Sequence, residues 1–339
     1  MVRGAAGWLG AVLLLLAHAF AGAAEPASAD VTKPVGVKQV SSKAPAAKQR
    51  SATKASTTKK RTSKARSGKS AVRRQASVRP VVPGGPAIRS SSVLVMATDD
   101  STVLLSRNAE VVAPIASITK LMTALVVLDA QQSLDEELEI TKDDRASGGD
   151  HSRLTIGTTL TRGEIMHLAL MSSENRAAHA LGRNYPGGLE AAVRAMNAKA
   201  RALGMQHSHF VEPTGLSELN VASPQDLIKL VLAAASHPSI RHYSTDQEHS
   251  VKVGRYDVEF RNTNNLVRKP DWDILVQKTG YTQAAGRCLV MQARIDDRPV
   301  VMVLLNSFGK YTRVADATRV RKWLEAEAGA KLASAKPVS

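Results

Sequence analysis

Residues 114–130 have the sequence PIASITKLMTALVVLDA, in which a serine and a lysine stand at the start of a nearly continuous apolar run. Ser117 and Lys120 are three residues apart, so on a helix they share one face, with roughly 5–6 Å between their Cβ atoms. The run 121–130 is apolar on nearly all sides, which predicts a helix buried in a large core. A hydroxyl beside an amine at the N-terminus of such a helix is a candidate nucleophile beside a candidate base.

The Ser-x-x-Lys spacing alone is a weak indicator, because it also begins at Ser51, Ser56 and Ser307. Only the occurrence at Ser117 opens an apolar helix. Two further patterns follow it in order, Ser-Glu-Asn at 173–175 and Lys-Thr-Gly at 278–280. The three patterns fall on a predicted helix start, a loop and a strand, so their joint occurrence carries more weight than any one of them.

The remaining elements surround this helix in a defined order. Residues 92–96 and 103–105 flank a polar turn and predict a hairpin, and a capping box at Thr161 and Glu164 opens a helix. Further helices are predicted at 176–183, 189–203, 223–235 and 312–327, and strands at 249–253, 256–260, 274–280, 288–295 and 299–305, the last two joined by a turn at 296–298. Strands, then helices, then strands and a helix predict an α+β domain over 88–330, with an antiparallel sheet built from both chain ends and an inserted helical block. Residues 331–339 are predicted to be a disordered tail.

The charge of the chain is concentrated in one segment. The formal net charge is +16, yet residues 31–80 hold fifteen Lys and Arg and no Asp or Glu. Residues 81–339 hold 30 basic and 28 acidic side chains, so their charges nearly balance. The basicity is therefore a property of this segment and not of the predicted domain.

The N-terminal pattern predicts an exported protein. Arg3 gives a short positive region, residues 8–20 form an apolar run too short to span a bilayer, and residues 21–24 are small. We expect a signal peptide over 1–24 and a periplasmic location. Cys288 is the single cysteine, so no internal disulfide is expected, and its apolar surroundings predict an inert core thiol.

Residues 25–87 are predicted to be a disordered basic linker. They are rich in Ala, Lys, Arg, Ser, Thr and Pro and lack aromatic side chains, so they cannot bury enough apolar area to offset the entropy of ordering. Two interpretations stay open, a solvated spacer and an electrostatic tether through 31–80 to an anionic surface. Specific nucleic-acid binding is not expected, because no aromatic side chains are present to stack on bases.

With these patterns in hand, the chain resembles the low-molecular-mass penicillin-binding proteins, a family of serine D-Ala-D-Ala peptidases. The three patterns are a motif set known in β-lactamases and penicillin-binding proteins. Residues 171–178, 212–217 and 278–282 resemble the family closely, and 285–290 resemble its endopeptidase branch. The resemblance spans about Ser90 to Glu327. It implies the DD-peptidase/β-lactamase-like fold, peptidoglycan muropeptides as substrates and β-lactam antibiotics as covalent inhibitors.

The chemistry expected of these residues starts with Ser117, which would attack a carbonyl and form an acyl-enzyme. A serine hydroxyl is a weak nucleophile at neutral pH, so Lys120 must take its proton and must be neutral to do so. Burial and a second cation such as Lys278 both lower the pKa of a lysine. Ser173 would relay a proton to the leaving amine, and Asn175 would hold the substrate amide.

The third pattern is expected to bind substrate. Lys278 and Thr279 would face the substrate carboxylate or the proton relay, and Gly280 lets the strand backbone approach the substrate closely. The family resemblance implies an oxyanion hole formed by the backbone N–H groups of Ser117 and Tyr281.

Several alternatives remain open. An endopeptidase that cuts D-Ala cross-links is favoured by residues 286–288 and by the 61 residues after Lys278, too few for the additional β-domain of many carboxypeptidase relatives. A D-alanyl-D-alanine carboxypeptidase is the second interpretation, and a non-catalytic wall-binding or polyanion-binding protein is the third. The Glu-x-x-Leu-Asn element of class A β-lactamases is missing between Asn175 and Lys278, so slow deacylation is expected.

No cofactor is expected, and no metal site. His207 and His209 are interpreted as a surface pair, because no carboxylate or histidine with ligand spacing accompanies them. Glu174 is interpreted as a solvated charge at a helix start.

Overall fold

The computed structural model describes residues 85–145 and 152–335, with side chains through residue 329. The predicted signal peptide, 1–24, and residues 25–84 of the predicted linker lie outside these ranges and remain predictions. Among the described residues, no helix combines the length and the apolar character needed to cross a membrane.

The described part of the chain begins with strands, continues with a mainly helical segment, and ends with strands and a helix, as expected of an α+β domain. The helices of the described ranges are α1 Thr119–Asp129, α2 Arg162–Met171, α3 Asn175–Arg183, α4 Gly188–Ala202, α5 Pro224–Ala235, α6 Pro238–Thr245 and α7 Thr312–Ala335. The strands are β1 Ser90–Ala97, β2 Val103–Arg107, β3 Ala113–Pro114, β4 Glu137–Glu139, β5 Thr159–Thr161, β6 Val221–Ala222, β7 Glu248–Val253, β8 Tyr256–Arg261, β9 Asp273–Thr282, β10 Gly286–Ile295 and β11 Arg298–Ser307. The predicted fold class is confirmed.

The central sheet is assembled from both ends of the domain, as predicted. Five antiparallel strands lie in the order β2-β1-β11-β10-β9. Val93 of β1 pairs with Leu304 of β11, so the first strand finds its partner more than two hundred residues later. Helices α1 to α6 fall between these halves of the sheet in sequence.

The hairpin of β10 and β11 turns in two residues, not in the three predicted. Ile295 pairs with Arg298, so Arg298 belongs to the strand. Asp296 and Asp297 both have positive φ, +47° and +61°. Positive φ at both central residues is the backbone of a type I′ turn, whose twist matches that of the flanking strands. Aspartate tolerates this conformation better than most residues, which explains the shorter turn.

The sheet lies between two apolar layers. Alternate side chains of a strand point to opposite faces. Val290 belongs to the large core shared with the buried helices, whereas Leu289 and Met291 belong to a smaller core with Ala317 of α7. Cys288 is buried and unpaired, and burial raises the pKa of its thiol to about 11, so it remains a protonated core thiol.

Helix α1 is buried along nearly its whole length, as its composition predicts. Every residue from Thr119 to Val127 is buried. Helices α2, α3, α4 and α5 all contact it. A helix enclosed in this way fixes the position and direction of the residues at its N-terminus.

Two predicted helix starts are confirmed in detail, and one helix end needs correction. The capping box between Thr161 and Glu164 is formed, and Ser223 caps α5 by accepting the backbone N–H of Asp226. Helix α7, however, continues to Ala335, past the predicted end at 327 and into the predicted tail 331–339. Residues 325–335 are rich in alanine, which has the highest helix propensity, so the helix continues although its apolar face has ended.

A buried carboxylate joins α7 to the first strand. Asp316 accepts the backbone N–H of Ser90 at 2.7 Å and its hydroxyl at 2.6 Å. It also accepts the backbone N–H of Arg89 at 3.1 Å and pairs with Arg319. The start of β1 and the last helix are thereby held by a single side chain.

Replacing this carboxylate should destabilise the whole domain. We expect Asp316→Ala to lower the free energy of unfolding by about 3 kcal/mol, because it leaves buried donors unpaired. Asp273→Ala is the matched control, since Asp273 forms an exposed pair with Arg294 at 3.2 Å. That variant should lose less than about 1 kcal/mol. Urea denaturation measures both, and equal losses would refute the role given to Asp316.

Candidate active site

Ser117 lies in a 3-10 turn, Ala116–Ile118, that leads directly into α1. The preceding residue, Ala116, has a φ of +49°, which is strained for a residue with a Cβ atom. The Thr119 hydroxyl donates to the Ala116 carbonyl at 2.8 Å and helps to hold this turn. Ser117 itself is half-buried, so its hydroxyl is positioned by a rigid helix but remains accessible.

Lys120 is buried, with 1% of its surface exposed, and its amine is surrounded by acceptors. Its Nζ lies 2.8 Å from Ser117 Oγ, 2.8 Å from Asn175 Oδ1 and 2.6 Å from the Thr214 carbonyl oxygen. An ammonium group would donate to all three. A neutral amine can instead accept the Ser117 proton while it still donates to Asn175 and Thr214.

A second buried lysine amine contacts a second serine hydroxyl. Lys278 is fully buried, and its Nζ donates to Ser173 Oγ at 2.8 Å and to the Thr279 carbonyl at 3.0 Å. Burial first, then the charges of Lys120 and Arg313, hold the pKa of Lys278 well below its usual range. The effect of Lys120 on this pKa places the two amines within electrostatic reach of each other.

Ser173 lies in a strained loop, and the next residue, Glu174, is buried although it was predicted to be solvated. Ser173 has a φ of +64°, in the left-handed region. Glu174 is only 8% exposed and accepts the Ser152 hydroxyl at 2.6 Å and the Arg153 backbone N–H at 3.4 Å. The interpretation of Glu174 as a solvated charge is therefore wrong, because residues far upstream cover it and supply its hydrogen bonds.

Strand β9 brings its Lys-Thr-Gly pattern against the nucleophile turn. A Cβ atom on Gly280 would lie 2.9 Å from the Ile115 carbonyl oxygen and 3.3 Å from the Ser117 backbone nitrogen. Only glycine allows this approach. Thr279 is buried, and its hydroxyl is 2.6 Å from that of Thr263. The Tyr281 side chain points outward, with 58% of its surface exposed and Arg287 over its ring at 4.4 Å, so only its backbone is a candidate for the site.

A loop at 212–217 completes the surroundings of Lys120, and its organising residue escaped the sequence analysis. The Glu212 carboxylate accepts the backbone N–H of Thr214 at 2.6 Å and of Gly215 at 2.7 Å, and the Asn220 amide at 2.9 Å. This arrangement aims the Thr214 carbonyl at Lys120. Residues 212–217 resemble the family in sequence, but that resemblance alone assigned no role to Glu212.

Gly215 allows this loop to touch the nucleophile turn. Its φ is +81°, and a Cβ atom there would lie 2.0 Å from the Ala116 carbonyl oxygen and 2.8 Å from the Ser117 backbone nitrogen. Any side chain would push the turn and the loop apart.

The structure thus brings the predicted residues of three separate patterns together at one site. Both buried amines lie within hydrogen-bond distance of a half-buried hydroxyl, an arrangement suited to nucleophilic attack by one serine and proton relay through the other. The only group of possible metal ligands found in the described ranges, His167, Asp246 and His249, includes none of these residues.

Comparison with known proteins agrees with this geometry. Residues 78–309 match the S11 peptidase family, described as D-alanyl-D-alanine carboxypeptidase. The D-alanyl-D-alanine endopeptidase of Pseudomonas aeruginosa is 50% identical over 241 residues, which cover 70% of this chain and 78% of the relative.

Solved structures show the same fold. The Streptomyces K15 DD-transpeptidase is similar with a TM-score of 0.67 and 25% identity, covering 71% of this chain and 99% of that one. Penicillin-binding protein D2 of Listeria monocytogenes, in its ampicillin-bound form, is similar with a TM-score of 0.62 and 26% identity, covering 70% of this chain and 97% of that one. The predicted DD-peptidase fold is confirmed, and the chain belongs to the S11 family of D-alanyl-D-alanine peptidases.

Proposed function

We propose that this protein is a serine D,D-peptidase that cleaves D-alanyl bonds in peptidoglycan stem peptides through an acyl-enzyme on Ser117. The observation that carries the proposal is the contact of 2.8 Å between the buried Lys120 amine and the accessible Ser117 hydroxyl. Membership of the S11 family and the ampicillin-bound structure of the Listeria relative support it.

Acylation starts with proton transfer from Ser117 Oγ to a neutral Lys120. The oxygen attacks the D-Ala carbonyl carbon, and the carbonyl oxygen gains negative charge. The backbone N–H groups of Ser117 and Tyr281 are proposed to stabilise that charge. Asn175 and Thr214 keep the Lys120 amine in place throughout, since both accept hydrogen bonds from it.

The leaving amine needs a proton when its C–N bond breaks. Ser173, held by Lys278 at 2.8 Å, is proposed to deliver it, with the proton drawn from the Lys120 and Lys278 pair. Water then attacks the ester on Ser117 by the same steps in reverse order, which frees the acid product and restores the serine.

Strand β9 offers a way to hold the peptide. It is an edge strand of the sheet, so one side of its backbone has no strand partner within the described ranges. An extended stem peptide can add to this edge through main-chain hydrogen bonds. Thr279 and Asn175 are then placed to contact the peptide amides and its carboxylate, and Gly280 leaves room for the backbone.

Two substrate bonds fit this site. We favour the D-Ala cross-link between two stem peptides, because the P. aeruginosa relative with 50% identity carries the name endopeptidase and residues 286–288 match that branch. Cleavage of a terminal D-Ala is the second candidate, favoured by the description of the family as a whole.

We also propose that the enzyme works in the periplasm and that residues 31–80 bind an anionic surface there. The support is the export pattern at the N-terminus and the fifteen positive charges without a negative one. Strongly cationic segments attract anionic polymers and lipid surfaces.

Product analysis on purified cross-linked muropeptides tests the proposed function. The expected result is conversion of dimers to monomers, and release of terminal D-Ala alone would favour the carboxypeptidase instead. Ser117→Ala should abolish both reactions and labelling by penicillin. Ser106→Ala is the matched control, because this exposed serine lies in a second Ser-x-Asn pattern, and it should remain active. Activity in Ser117→Ala would refute the assigned nucleophile.

The pH dependence of penicillin acylation tests the electrostatics of the amines. Because the pKa of Lys278 is lowered, the pair loses a proton below the pH at which exposed lysines do. The acylation rate should therefore fall as pH decreases through that apparent pKa, while the adduct remains long-lived. Arg313→Gln removes a charge that lowers this pKa, so the profile should move to higher pH.

The control for this shift is Arg294→Gln, since Arg294 forms an exposed pair with Asp273. Its profile should overlay that of the wild type. A rate independent of pH, or equal shifts in both variants, would contradict the proposed role of the amine pair.

Deletion of residues 31–80 tests the tether. The shortened protein should bind purified cell walls or anionic vesicles more weakly, with a smaller dependence on salt, because fewer counterions are released. Cleavage of soluble muropeptides should be unchanged. Equal binding with and without the segment would identify it as a spacer.

A further inference from the structure

A second cluster of polar side chains joins α2 to the connection between α6 and β7. His167 projects from α2, Asp246 directly follows α6, and His249 lies in β7. One ring nitrogen from each histidine and one carboxylate oxygen of Asp246 lie within 4.8 Å of one another. Three different elements thus bring three potential ligand atoms to one point.

The histidines of this cluster are incompletely hydrogen-bonded. Nε2 of His167 and Nε2 of His249 are buried and have no hydrogen-bond partner among the described residues. His167 Nε2 is 3.2 Å from Asp246 Oδ2, but the two groups are not aligned for a hydrogen bond. Buried polar atoms in folded proteins normally have a partner, so two such nitrogens beside one carboxylate need an explanation.

The imidazole rings of the cluster stack on one another and on a tyrosine. His249 stacks on His167 with 4.3 Å between ring centroids, and Tyr243 stacks on the same imidazole at 4.8 Å. Only 4% of the His167 surface is exposed. An imidazole whose Nε2 carries no proton offers a lone pair at that nitrogen. Neutral imidazole is the form that binds metal ions.

The cluster borders a cavity open to solvent, with a volume of about 290 Å³. Asp135, Glu164 and His242 also line it, so its walls carry additional acidic groups and a third imidazole. A cation would find negative charge around it, and water can reach it to complete its coordination.

We propose that His167, His249 and Asp246 form a binding site for a divalent transition-metal ion of the zinc class, with water or His242 in the remaining position. Two imidazoles and one carboxylate are a donor set that Zn²⁺ uses in proteins. Tetrahedral coordination at about 2.1 Å brings ligand atoms to about 3.4 Å from one another, so modest side-chain rotations close the present separation. Local spacing in the sequence could not reveal the site, because Asp246 follows His167 by 79 positions.

A metal ion here would clamp the helix that leads into the active-site loop. Helix α2 ends at Met171, two residues before Ser173. The Met171 carbonyl accepts the backbone N–H of Thr263. On the other side of the cluster, Asn262 donates to the Asp246 carbonyl at 2.7 Å. The site is therefore structural, and its occupation should stabilise the domain without supplying a catalytic group.

Cobalt and zinc titrations of the untagged mature protein test this site. Co²⁺ should bind with one-to-one stoichiometry and give the visible absorption of a low-symmetry site, and Zn²⁺ should displace it. Zn²⁺ should also raise the thermal unfolding midpoint, because an ion that binds only the folded state stabilises it. Asp246→Asn and His249→Gln should each weaken binding by at least about tenfold.

The matched control is the double variant His207→Gln/His209→Gln, which removes the exposed histidine pair. It should keep both the cobalt spectrum and the rise in the unfolding midpoint. Circular dichroism without metal shows whether Asp246→Asn and His249→Gln are folded, and either folded variant suffices for the comparison. Loss of binding only in the His207/His209 variant, or no saturable binding by the wild type, would overturn the proposal.

Discussion

The burial of the Lys120 amine is the constraint on which the site depends. A buried amine is costly unless its hydrogen bonds are made. Its three acceptors lie on Ser117, Asn175 and Thr214, which are 3, 55 and 94 residues from the lysine. The turn before α1, the first residue of α3 and the loop shaped by Glu212 must therefore all be in place together. The same contacts that satisfy this nitrogen also position the nucleophile beside it.

The candidate active site contains several features that usually lower the stability of a protein. Lys278 is buried within electrostatic reach of Lys120, and Ala116 and Ser173 both have positive φ. Strained backbone at a functional site persists only when its surroundings determine it. Here those surroundings are the enclosed helix α1 and the close contacts of Gly215 and Gly280, where a Cβ atom would clash with the nucleophile turn.

Patterns local in sequence predicted most of the fold. The run after Lys120 predicted a buried helix, Thr161 and Ser223 predicted helix starts, and apolar runs bounded by turns predicted the strands of the central sheet. The motif residues were found because their order and local structure were informative together. The features that were missed or wrongly predicted depend on residues distant in sequence. They are the burial of Glu174 under residues 152 and 153, the role of Glu212, and the cluster around His167. The end of α7 was missed for a different reason, since helix propensity continued it beyond the apolar face.

The pairing of β1 with β11 has a consequence for the order of folding. During synthesis, which proceeds from the N-terminus, β1 and helices α1 to α6 are made long before β11 can complete the sheet. Strand β9, which carries Lys278, is joined to the sheet through β10. Contacts between residues so far apart form slowly, because a long loop must close before they contribute. The nucleophile turn is thus synthesised early but meets its second lysine late, and a chain cut off before residue 298 would carry the serine without the sheet that completes its site.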